Sequence, residues 1–133
     1  MGKIVAVAGV AAALAFTATR HAQLPASGAA CRHDALERPA DRDRRQQALK
    51  VALAINAAEG TLLQKTRTYH RLTELPRLPE LPPQFELRLY SNDIGYVFSI
   101  KDTTDPCRFA IFSDQAGFLY EKSAHTAPTV ADS

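Results

Sequence analysis

The chain has 133 residues, 46% of them hydrophobic and 23% charged, with 16 Lys+Arg against 14 Asp+Glu. That is the material of one small globular domain. A net charge of +2 excludes nucleic-acid binding driven by bulk charge.

Met1, Gly2 and Lys3 form a short cationic start, followed by an apolar run from Ile4 to Phe16. The run is shorter than the roughly 20 residues a bilayer span needs and fits the apolar region of a secretory signal. Residues 1–22 are therefore expected to be a signal peptide, cleaved between 22 and 29. No stable membrane span would remain. A lipid anchor on Cys31 is not expected, because Gly28, Ala29 and Ala30 precede it with no aliphatic residue at the third position before it. Cleavage leaves a neutral chain of about 110 residues, which buries roughly 60–70% of its unfolded surface. An exported chain with two cysteines, Cys31 and Cys107, is expected to join them. Closing so long a loop stabilises by about 4–5 kcal/mol in the chain-entropy model.

Residues 23–40, rich in Ala, Pro, Ser and Gly, read as a flexible leader tied down at Cys31. A single domain is expected over 41–121. Asp41 is a candidate helix cap. Ala48, Val51, Ala52, Ile55, Ala58 and Leu62 then recur at three- and four-residue steps, the mark of one apolar helical stripe, and Leu49 and Leu53 widen it. The spacing predicts a helix of about 25 residues, in which Gly60 weakens the last third unless it serves close packing. From Leu75 to Pro83 the prolines dictate an extended connector. A ligand for proline-reading domains is the less fitting use of it in an exported chain.

Past the prolines the period becomes two. Phe85, Leu87 and Leu89 alternate with Glu86, Arg88 and Tyr90, and a turn at Asn92 to Gly95 leads into Tyr96, Phe98 and Ile100. Cys107, Phe109 and Ile111 read as a third strand, and Asp114 to Gly117 turns the chain into Phe118, Leu119 and Tyr120. Short loops between successive strands imply an antiparallel meander, with one apolar face for the helix to cover. The predicted fold class is α+β: one long N-terminal α-helix packed on a three- to four-stranded antiparallel meander sheet. Residues 122–133 read as a disordered tail. Positive charge is in surplus over residues 32–77 and negative charge over 78–133, so the two halves should attract each other, weakly.

This order of elements resembles the type IV pilins and the type II secretion pseudopilins over residues 44–121. The matching residues are Ala48, Ala52, Ile55, Ala57, Ala58 and Glu59 on the helix, then Tyr69, Leu72 and Leu75, the strand Gly95, Tyr96, Val97 and Phe98, and the turn Asp114, Gln115, Ala116 and Gly117. The resemblance implies a pilin-like globular domain. The chain departs from the family at its start: no acidic residue precedes Asp34, and a loose segment separates the apolar run from the amphipathic helix. The prepilin motif is thus lacking, and the domain is expected to travel on an ordinary export signal.

No Gly-x-Ser-x-Gly, phosphate-cradling glycine loop, His-Glu-x-x-His or Cys-x-x-Cys motif occurs. His21, His33 and His125 fall in segments read as loose, and His70 is isolated. Arg42, Arg44, Arg45 and Lys50 suggest an anion patch that Asp41 and Asp43 dilute. Asp102, Asp105 and Asp114 flank the third strand and are weak calcium candidates, in keeping with the calcium loop of some pseudopilins. The simpler reading is that these aspartates start turns. No catalytic residue and no cofactor are expected. The sequence points to an exported, non-catalytic structural or interaction protein, periplasmic or at the cell surface, working through a protein partner or self-association. The alternative is a small periplasmic ligand- or calcium-binding or inhibitor protein using loops around Asp93, Asp102 and Asp105.

Overall fold

The computed structural model describes residues 31–123 and 129–131. The expected signal peptide 1–22, the first part of the leader, His21 and His125 lie outside these residues.

Helix α1 runs Pro39–Thr66. It is the first described element but not an N-terminal one, because the chain enters it through residues 31–38. Its cap is Arg38, three residues earlier than Asp41. Pro39 opens it, since proline at the first helical position loses no hydrogen bond and arrives with a helical φ. Asp41 instead sits inside the first turn, where its negative charge faces the positive end of the helix dipole. The helix ends at Arg67, whose left-handed backbone (φ 66°) lets its N–H donate to Leu63 O at 2.9 Å. Ala48, Leu49, Val51, Ala52, Ile55 and Ala58 are buried as the stripe requires, whereas Leu53 is exposed and Leu62 only half-buried. Gly60 serves no close packing: a Cβ there would meet nothing within 4 Å.

The connector leads back from the end of α1 toward its start. After a single 3-10 turn, Leu72–Glu74, Leu75, Leu78 and Leu81 recur every third residue and are all half-buried, the period of an extended proline-type helix. Leu75, Leu78 and Leu81 pack against the core. Gln47 Nε2 donates to Glu80 O at 3.1 Å, and Arg44 Nη2 to Pro83 O at 3.0 Å, fastening the connector to the helix.

Five antiparallel strands follow in chain order: β1 Phe85–Asn92, β2 Gly95–Asp102, β3 Ala110–Asp114, β4 Tyr120–Lys122 and β5 Thr129–Val130. The meander is one strand larger than expected, because part of the 122–133 segment returns to pair with β4, Tyr120 opposite Val130. In the register Leu89–Phe98–Ser113 and Leu87–Ile100–Ile111, alternate residues face the helix. Phe98, Ile100 and Ile111 join Val51, Ala52 and Ile55 in one core, while Tyr90 and Val97 point to solvent. The third strand starts at Ala110 rather than Cys107. Asp105 explains this: its carboxylate accepts the N–H groups of Cys107 (3.2 Å) and Phe109 (3.1 Å), curling into a loop a stretch whose alternation reads as strand.

Candidate functional site

The polar groups of the domain gather at the two ends of the helix–sheet interface. At the end where α1 begins, residues 31–38 are fastened to the sheet. A Cys31–Cys107 disulfide, with Cα atoms 5.2 Å apart, joins them to the β2–β3 loop. Asp105 braces this bridge from both sides, because its Oδ1 accepts the N–H of Arg32 at 3.0 Å as well as that of Cys107.

Two residues on, the side chain of His33 is 1% exposed. Its ring lies 4.4 Å from the Phe109 ring centroid and 6.2 Å from that of Phe85. Nδ1 is 2.7 Å from Glu37 Oε1, and Nε2 is 2.9 Å from Asp102 Oδ2. Both ring nitrogens thus face carboxylate oxygens. Arginines complete the cluster. Arg45 donates to both oxygens of Glu37 and reaches Glu121 on β4 at 3.1 Å. Arg44 stands 3.5 Å from Asp41 and from Asp102, over the ring of Phe85. Arg38 Nε donates to Asp41 Oδ2 at 2.6 Å.

These contacts set the carboxyl acidities. Burial pushes the Asp102 carboxyl up, but hydrogen bonds from His33 and Thr104 and the charge of Arg44 outweigh it and hold the group at about 2. Glu37 behaves likewise: burial opposes ionisation, and Arg45 and His33 together hold it below the usual carboxylate range. Asp41 is held low first by its bond to Arg38.

At the other end, Tyr96 OH donates to Asn56 Oδ1 at 2.8 Å, and Asn56 Nδ2 donates to Ser113 Oγ (3.1 Å) and Gly117 O (3.0 Å). Burial, followed by the charge of Glu59, pushes the Tyr96 phenol up to about 12. Glu59 is fully buried in the helix, and burial raises its carboxyl above the ordinary range. It accepts the backbone N–H of His70 at 3.0 Å, closing the turn beyond α1, while His70 Nδ1 stands 3.9 Å from Glu59 Oε2 with no hydrogen-bond partner among the described residues.

The calcium candidates do not converge. Asp102 and Asp105 lie at one end of the sheet. Asp114 pairs with Val97 near the other end, about 15 Å away at the rise of a strand. The Asp102 carboxylate is occupied by His33, Arg44 and Thr104 and that of Asp105 by backbone N–H groups, while Asp114 starts a turn by accepting from Ala116 N at 2.9 Å. Among the described residues no group of three or more His, Cys, Asp or Glu is placed to hold a metal ion. Arg44 and Arg45 of the suspected anion patch are spent on internal carboxylates. Sequence reasoning missed His33, Glu37, Glu59 and Tyr96 as site residues. The only signal for His33 was its place two residues after Cys31.

No helix among the described residues is long and apolar enough to cross a membrane. No family model, no curated protein and no solved structure matches the chain.

Proposed function

We propose that the chain is an exported, non-catalytic interaction module with a pilin-like domain, acting in the periplasm or at the cell surface. The observation that carries this reading is the plug formed by Cys31 and His33. A disulfide belongs to oxidising compartments, and here it fixes the segment whose histidine completes the ion cluster. The same geometry argues for architecture over catalysis. Both nitrogens of His33 are engaged by carboxylates, which leaves neither free to meet a substrate.

The pilin-like part rests on the residues quoted above and on element order, a long helix followed by an antiparallel meander. Expression in a bacterium followed by osmotic-shock fractionation tests the reading. The full chain should appear in the shock fluid, and a chain lacking residues 1–22 should stay in the cytosol. Equal retention of both in the cytosol would overturn the export proposal.

A further inference from the structure

Strand β1 is an edge of the sheet, and no strand among the described residues pairs with its outer side. Thr103 N donates to Gln84 O at 2.9 Å. In an antiparallel ladder hydrogen-bonded pairs alternate, so the even-numbered residues of β1 bond to β2 and the odd-numbered ones turn their N–H and C=O groups outward. Phe85 N–H is taken by Pro82 O. The outward groups of Leu87 and Leu89 meet no partner among the described residues. Proteins blunt such edges with charged side chains, proline or a bulge. This edge has eight regular residues with no proline or bulge, and its two charges, Glu86 and Arg88, offset each other.

We propose that β1 is a self-association edge, pairing antiparallel with β1 of a second copy about a two-fold axis through Leu87. The proposal rests on the interaction reading above and names its partner. The strand is self-complementary in this register. Leu87 faces Leu87 of the second copy, and Phe85 faces Leu89 of the second copy. Leu87 N–H groups donate reciprocally to Leu87 carbonyls, and Leu89 N–H groups to Phe85 carbonyls. Glu86 then stands opposite Arg88 of the second copy, and Arg88 opposite Glu86 of the second copy.

Within one chain Glu86 and Arg88 already touch at 2.7 Å on the outer face, so the four side chains form an alternating square of charge. Sliding the pairing by two residues in one direction puts Arg88 opposite Arg88 and Glu86 opposite Tyr90 of the second copy. Sliding it the other way puts Glu86 opposite Glu86 and Arg88 opposite Gln84 of the second copy. Either slip loses both charge pairs. The inward residues Phe85, Leu87 and Leu89 would carry the apolar layer across the axis, since all three already pack in or against the core. Space exists for the incoming strand along the far half of β1, where a groove of about 490 Å³ runs between Arg71, Leu72 and Thr73 and Leu89, Tyr90 and Ser91.

Sedimentation of the oxidised protein from low micromolar to near-millimolar concentration tests this. The proposal requires a monomer–dimer equilibrium that added salt weakens. Arg88→Glu puts like charges opposite each other twice and should weaken association by about tenfold or more. The exchange Glu86→Arg with Arg88→Glu should restore it. Amide hydrogen exchange gives a readout free of any variant: Leu87 and Leu89 should gain protection with concentration, and Ile94 should not. A monomer at every concentration overturns the proposal. So does a dimer indifferent to both charge variants, or one that leaves the Leu87 and Leu89 amides unprotected. Neither result touches the fractionation test, which reports on export alone.

Discussion

His33 sits between two carboxylates, and the ion cluster around it makes the domain acid-sensitive. The carboxyls of Asp102, Glu37 and Asp41 are all held below their ordinary values in the folded chain. Such groups stabilise fully above the unfolded value, and the gain is lost as pH falls through the folded one. For Asp102 that window runs from about 4 down to about 2 and is worth about 2 kcal/mol. Asp102→Asn should therefore destabilise at neutral pH, by about 3–5 kcal/mol where a buried pair is broken, and unfold with a flatter dependence on pH below 4. Denaturant unfolding across that range checks both. Glu59 works with the opposite sign. Its raised carboxyl means that the folded state disfavours the charge, so Glu59→Gln, which keeps an acceptor for the His70 N–H, should raise neutral-pH stability. The advantage should shrink as the pH falls and the wild-type carboxyl takes up its proton. Glu59→Ala should instead cost about 1–3 kcal/mol by stranding that N–H.

At the scale of elements, the helix stripe and the strand alternation were legible in the sequence, because periods of 3.6 and 2 are imposed by backbone geometry and burial alone. What the sequence did not disclose came from contacts between distant positions. His33 meets Asp102 across 69 residues, and a lone histidine near Pro and Ala residues carries no mark of that. Asp105 removes Cys107 and Phe109 from the strand by bonding their N–H groups, which a count of alternating apolar residues cannot foresee. Glu59 hides in the stripe because hydropathy patterns place acids outside. Gly60 is the clearest local flaw: it sits in a helix interior with open space where a Cβ would be. Gly60→Ala should stabilise by about 0.5–1 kcal/mol, read as a rise in the thermal midpoint.

Across the whole molecule, the opposed charge surpluses of the two halves take specific form. Arg44 reaches Asp102 and Arg45 reaches Glu121, each linking the helix to the sheet, and the disulfide closes the same end. Residues 31–38 are thus tied to the rest of the domain by one covalent bond and one buried ring. Opening the bridge should cost about 2–5 kcal/mol and release His33 from between its carboxylates. An oxidising compartment is therefore central to the account, and intact mass tests it most directly. Protein recovered from a bacterial periplasm, weighed before and after reduction, should have lost about the first 22 to 29 residues and should gain two hydrogens on reduction. A full-length chain with both cysteines already reduced would contradict the account.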